Sequence, residues 1–123
     1  MINVLVDTSV WIAHFRNRND ALVELLLQDR VLIHPMILGE IACGTPPDRV
    51  RTLADLSSLR YCQQPSHAEV ITFVERHRLY GLGCGLVDMF LLASALMSNS
   101  KLWTLDKRLE KLATHFDISH IHH

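Results

Sequence analysis

Four carboxylates stand in apolar frames where acidic side chains are out of place. Asp7 ends the run NVLV, Glu40 falls between Leu38 and Ile41, Asp88 interrupts GLVDMF, and Asp106 follows KLWT by two residues. The other acids, among them Asp20, Glu24, Asp29, Asp48, Glu75 and Glu110, have polar neighbours and read as solvated faces or caps. Carboxylates gathered within about 4–6 Å repel by several kcal/mol per pair at an effective dielectric near 20. Such a group either holds protons or recruits a cation. An all-oxygen donor set, with no histidine or cysteine, selects Mg²⁺ or Mn²⁺ over zinc. One such ion, or two roughly 4 Å apart, can activate water and stabilise a phosphodiester under attack. A plainer role is open to three of the acids, since aspartate is a preferred helix cap. Asp7 would cap a helix starting near Ser9, and Asp88 and Asp106 would each cap their own. Glu40 lies mid-helix and has no such role.

Short apolar β-like runs alternate with longer helical patterns, which predicts an α/β fold around a parallel sheet. The expected strands are Asn3–Val6, Val31–His34, Arg60–Gln63 and Lys101–Thr104, with a weaker edge at Ile118–His120. Helices are expected over Asp20–Leu27 and from Pro35 to a stop at Gly44. Another begins at Pro46 or Pro47 and carries Val50, Leu53, Ala54 and Leu56. Ser66–Leu79 opens with Ser66 and Glu69 in a capping-box arrangement. Val87–Met97 is apolar on nearly all faces and should be a central helix, and Asp106–Ala113 is amphipathic. In a parallel sheet the functional crevice lies beyond the carboxyl ends of the strands, and the four acids fall at or just past those ends. The loop YGLGCGL, residues 80 to 86, lacks the lysine and hydroxyl of a phosphate-binding loop and precedes no GxGxxG turn.

Composition narrows the classes further. The 123 residues suit one domain, and 49% hydrophobic with 20% charged residues suits an ordinary globule. Met89–Met97 is too short to span a bilayer, and no basic region precedes the first apolar run. A cytoplasmic location without membrane attachment is therefore expected. Cys43, Cys62 and Cys84 form no CxxC pair, which argues against a disulfide framework or zinc ribbon. They read as small buried or half-buried apolar residues. A net charge of −1 excludes nucleic-acid binding by bulk positive charge, so such contact needs local arginines or bound cations. His14, His34, His67, His77 and His115 show no ligand spacing and are assigned no catalytic role. His120, His122 and His123 read as a frayed end rather than a transition-metal site.

In this order the four acids resemble those of the PIN-domain nucleases, in particular the VapC-type ribonuclease toxins of bacterial toxin–antitoxin modules. The matching pieces are VLVDTSVWI, PMILGEIACG, GLGCGLVDMFLLASAL and LWTLDKRLEKLA, which together span nearly the whole chain. The resemblance implies a single PIN-like domain over residues 1–123, an α/β/α sandwich with a central parallel sheet of four to five strands. It implies an acidic Mg²⁺ or Mn²⁺ pocket that cuts single-stranded or looped RNA, such as a tRNA or another structured RNA. Asp7 and Asp88 match its closest metal ligands, with Glu40 and Asp106 ligating directly or through water. Ser9 and Thr104 match hydroxyls that help hold metal-bound water. A homodimer and a VapB-type antitoxin covering the pocket are implied as partners. Arg16, Arg18, Lys107 and Arg108 follow pocket motifs closely and are candidates to hold the RNA backbone, although solvated surface charge accounts for each equally well. Trp11 is expected in the core or a dimer interface.

Three other readings compete. A receiver domain needs an acidic pair after the first strand and an acid after the third, but Asp7 is followed by Thr8 and RYCQQP holds no acid. A haloacid dehalogenase needs a second aspartate two residues after the first, which DTS lacks. A catalytically idle PIN-like module that binds RNA or protein keeps the fold and drops the reaction.

Overall fold

Val4, Leu5 and Val6 are fully buried without alternation, the signature of a strand covered on both faces. Val31–Ile33 is buried in the same way. The computed structural model describes residues 1–120. Its strands are β1 (Val4–Val6), β2 (Val31–Ile33), β3 (Arg60–Tyr61) and β4 (Lys101–Trp103), and its helices are α1 (Thr8–Arg16), α2 (Asp20–Leu27), α3 (Pro35–Ala42), α4 (Arg49–Ser57), α5 (His67–His77), α6 (Leu86–Met97) and α7 (Lys107–His115). The four strands form one parallel sheet in the order β3-β2-β1-β4. Leu5 is the centre of the register, paired with Leu32 on one side and Leu102 on the other. This is the expected α/β/α arrangement with a four-stranded sheet.

Strand order carries the functional consequence. From β1 the chain steps outward through β2 to β3, then returns to lay β4 on the other side of β1. The order therefore reverses between β1 and β4, and the crevice beyond their carboxyl ends is where an α/β sheet binds ligands. Helix α6 packs on both of these strands. Met89 to Ala95 are all buried, as expected of a helix apolar on every side.

Several expectations shift. Helix α4 starts at Arg49, not at Pro46 or Pro47, because Asp48 takes a left-handed conformation (φ 46°, ψ 58°) that no helix can continue through. β3 keeps two residues, although the Cys62 N–H still donates to the Ile33 carbonyl at 3.1 Å. The Ile118–His120 edge is reduced to one bridge between Leu102 and Ser119. His120 is nonetheless anchored: its N–H donates to the Leu102 carbonyl and its ring lies 5.0 Å from that of Trp103. His122 and His123 lie outside the described residues. Cys43, expected to be at least half-buried, is exposed beyond the end of α3. The capping box at α5 forms as expected, with Ser66 and Glu69 satisfying each other's backbone N–H groups.

His34 links β2 to α3. It is buried, and its Nδ1 accepts the Met36 N–H at 3.0 Å, capping the helix that carries Glu40. The ring proton must then sit on Nε2, which has no hydrogen-bond partner among the described residues. Burial holds the His34 pKa below the ordinary histidine value. As pH falls below about 6.5 the unfolded chain takes up a proton that the folded ring resists, so stability falls with it. Melting temperature is expected to drop between pH 7 and pH 5. His34→Asn, which keeps a capping oxygen, should flatten that drop. An unchanged pH profile in the variant would contradict the role of His34.

Candidate active site

Asp7 sits where the crevice opens. Its N–H donates to the Trp103 carbonyl at 2.9 Å, which ties the end of β1 to the end of β4. The residue occupies the N-cap position of α1, yet its side chain makes no capping bond. Instead Oδ2 accepts the Ser9 hydroxyl at 2.7 Å and the Thr104 hydroxyl at 2.8 Å. Those hydroxyls are oriented in turn, since Ser9 Oγ accepts from the Leu105 N–H and Thr104 Oγ1 from the Asp106 N–H, each at 3.0 Å. A carboxylate only 8% exposed is thus fixed by two neutral donors, and no cation among the described residues pairs with it.

The other three acids reach the same crevice from separate helices. On α3, Ile37 and Ile41 are buried, and Glu40 stands exposed on the flank of that face. Thr8 Oγ1 donates to Glu40 Oε1 at 2.7 Å, bridging α1 to α3. Asp88 is not the N-cap of α6 but its third residue, with Gly85 at the cap. Its Oδ2 accepts the Gly85 N–H at 3.3 Å. Asp106 does cap α7: its Oδ1 accepts the N–H groups of Arg108 at 2.9 Å and Leu109 at 3.2 Å. The capping role is therefore real for Asp106, partial for Asp88 and absent for the Asp7 side chain.

Each acid uses one oxygen to be held and keeps the other without a hydrogen bond among the described residues: Asp7 Oδ1, Glu40 Oε2, Asp88 Oδ1 and Asp106 Oδ2. Burial raises the Asp88 pKa, the Gly85 N–H opposes that rise, and the charges of Asp7, Asp106 and Glu40 push it further up. Asp88 thus feels all three other acids. Among the described residues no three His, Cys, Asp or Glu side chains are close enough to hold a metal ion as they stand. Like charges with no counter-ion keep apart, and the positioning bonds hold them around the crevice instead of closed on its centre.

The cations divide. Arg18 pairs with Asp20 at 3.0 Å on the open surface, and Arg16 lines a groove with Ile12, Phe15 and Pro46. Lys107 is exposed on the first turn of α7. Arg108 alone of the four is built into the crevice wall: its Nη1 donates to the Gly83 carbonyl at 3.3 Å. Gly83 has φ 87°, a backbone conformation that favours glycine, and a Cβ there would lie 2.9 Å from the Arg108 side chain, which would have to shift. Burial, and then the charges of Asp88 and Asp106, push up the neighbouring Cys84 thiol, while Arg108 pulls the other way. Trp11 is in the core, against Phe15 and His14. Sequence reasoning missed Thr8 as a positioning residue, because its partner is 32 positions away and no local spacing marks the pair.

Comparison with known proteins bears on the family and the fold. The PIN domain family profile matches residues 4–114. Ribonuclease VapC32 of Mycobacterium tuberculosis is 45% identical over 108 residues, 87% of this chain and 87% of its own. Among solved structures, VapBC-1 from nontypeable Haemophilus influenzae superposes with a TM-score of 0.69 at 17% identity, covering 97% of this chain and 96% of that one. A protein from Pyrobaculum aerophilum gives 0.60 at 17% identity, with 94% and 90% covered. At that identity the two structures speak for the fold.

Proposed function

This chain belongs to the PIN domain family, and we propose that it is a metal-dependent endoribonuclease toxin acting on structured RNA such as a tRNA. The observation that carries this reading is the set of four acids, each fixed through one oxygen and open at the other, around the β1/β4 crevice. The similarity to a protein named a ribonuclease supports RNA as the substrate. The structural neighbour described as VapBC-1 accords with a VapB-type antitoxin that covers the crevice. A homodimer in the cytoplasm completes the reading, with residues 1–123 acting as one domain.

The donor set fits Mg²⁺ or Mn²⁺, being all carboxylate and hydroxyl oxygen. It also carries negative charge without a counter-ion: burial first, and then the charges of Asp7, Asp106 and Glu40, raise the Asp88 pKa. Asp7 and Asp88 would hold the ion most closely, with Glu40 and Asp106 ligating directly or through water. When bound, the ion would acidify a water and neutralise charge on the phosphate under attack. The protein's own residues do the positioning. Ser9 and Thr104 fix the rotamer of Asp7 through Oδ2 and leave its Oδ1 without a hydrogen bond among the described residues. Thr8 does the same for Glu40. Holding ligands in place before the substrate arrives reduces the reorganisation that the reaction must drive.

Incubating the purified protein with total RNA in Mg²⁺, Mn²⁺ or EDTA, and sequencing the new RNA ends, tests the reading. Discrete ends in structured RNAs that require the divalent ion are expected. Binding without any metal-dependent cleavage would identify an idle module instead.

A further inference from the structure

Beside the acid crevice lies a cleft of about 410 Å³ between the carboxyl end of α5, the glycine loop and α7, within the size range of small-ligand pockets. Leu79, Leu82 and Leu112 make its floor. Its rim carries Arg108, Lys111, His77 and His115, and no acid lines it. On α7, Arg108, Lys111, Leu112 and His115 fall at i, i+3, i+4 and i+7, which is one helical face. Glu110, the acid on that helix, is turned elsewhere to Thr114 and Ser119. The two imidazoles are braced from behind: the Phe116 ring lies 5.1 Å from His77 and 5.2 Å from His115, and Phe73 lies 5.0 Å from His77. Arg108 belongs to both places, since its N–H donates to Asp106 Oδ1, its Nη1 donates to the Gly83 carbonyl, and its side chain lines this cleft.

We propose that this cleft seats a nucleotide of single-stranded RNA next to the cleavage point, its phosphate held by Arg108 and Lys111 and its base laid on Leu82 and the two imidazoles. The proposal rests on the ribonuclease reading and deepens it by naming where the substrate strand runs. Charge complementarity favours RNA as the occupant. In a chain of net charge −1, a rim that carries Arg108 and Lys111 and, among the described residues, no acid sits against a pocket that must receive a phosphodiester. Imidazole rings are also accepted stacking partners for unpaired bases. Gly83, whose positive φ favours glycine, has no Cβ to hold the Arg108 side chain off the loop. Base choice at that position would then follow from the shape of the floor around Leu82.

Stopped-flow anisotropy with a fluorescein-labelled, mixed-sequence 10-nucleotide RNA, in Mg²⁺ and at several salt concentrations, reads binding before cleavage. The double variant Lys111→Gln/His115→Gln changes exposed side chains, and its fold is checked by circular dichroism. It should weaken binding about tenfold and flatten the salt dependence by about 0.7, the contribution of one phosphate contact on a single strand. Lys111→Arg, which keeps the charge, should bind within about twofold of wild type. Arg51→Gln, on α4 and paired only with Asp55 at the surface, should change neither quantity. The inference is overturned if the double variant binds RNA as tightly as wild type, or if Arg51→Gln weakens binding equally. It is also overturned if the double variant keeps RNA binding and loses binding of a labelled Asp/Glu-rich peptide, which would mark a protein seat. Failure of wild type to bind this strand would overturn the inference alone, whereas absence of metal-dependent cleavage of total RNA would remove the ribonuclease reading.

Discussion

Asp7→Asn should reduce RNA cleavage by about 10³-fold and leave the fold intact. The substitution preserves volume, and the amide oxygen can still accept the Ser9 and Thr104 hydroxyls that now hold Oδ2. What it removes is the negative charge at the mouth of β1, where both neighbouring groups are neutral hydroxyls. A bound metal ion contributes several kcal/mol to stabilising the charge of the transition state, and about 1.36 kcal/mol corresponds to a factor of ten in rate. Loss of about 4 kcal/mol therefore gives the expected three decades. The measurement is a single-turnover rate at saturating Mg²⁺ alongside a melting curve. A slow variant that melts like wild type is expected. A variant that cuts at the wild-type rate would remove Asp7 from the reaction.

Asp88→Asn should stabilise the metal-free protein and blunt its response to Mn²⁺. Burial and the three other acids disfavour the ionised form of Asp88 in the fold, so its folded pKa lies above the unfolded value. The folded state then binds more protons than the unfolded state over that interval, and stability falls as pH rises through it. The penalty is complete above the folded pKa and absent below the unfolded one. The gain from asparagine should consequently appear at pH 7 and vanish near pH 3. With Mn²⁺ at about 100 times its dissociation constant, a bound ion stabilises wild type by about 2.7 kcal/mol. For a chain of this size that is a rise in Tm on the order of 10 °C, most of which the variant should lose. An undiminished shift with Mn²⁺ would tell against Asp88 as a ligand.

The acids were legible because each breaks an apolar frame that a core strand or helix would otherwise keep unbroken. Their shared place beyond the carboxyl ends of the strands was legible too, but the strand order that sets the crevice between β1 and β4 was not, because strand order leaves no periodic trace. Asp106 and Asp88 show how finely the local readings divide. Both open helices, but one caps its helix with a side-chain oxygen while the other receives the cap residue's N–H. The start of α4 was misplaced because proline at a first helical position is a strong signal, and Asp48 overrides it through a backbone conformation that composition does not announce. The histidines hid their roles for a related reason. His34 acts as a cap through its ring nitrogen. His77 and His115 lie 38 positions apart in sequence and share one cleft only after α5 and α7 are packed. Spacing along α7 alone places Arg108, Lys111 and His115 on one face, a signal that the sequence carries.

The most direct test of a carboxylate-held cation that hydrolyses RNA is the chemistry of the cut itself. A defined RNA carrying a 2′-O-methyl group at the cleaved nucleotide is incubated with the wild-type protein in Mg²⁺ and in EDTA, and the product ends are analysed by mass. Attack by an activated water needs no 2′-hydroxyl. Cleavage of the methylated RNA in Mg²⁺ alone, with no 2′,3′-cyclic phosphate among the products, is the predicted result. Cleavage that persists in EDTA, or that stops on methylation and leaves a cyclic phosphate on the unmethylated RNA, would contradict the role assigned to Asp7, Glu40, Asp88 and Asp106.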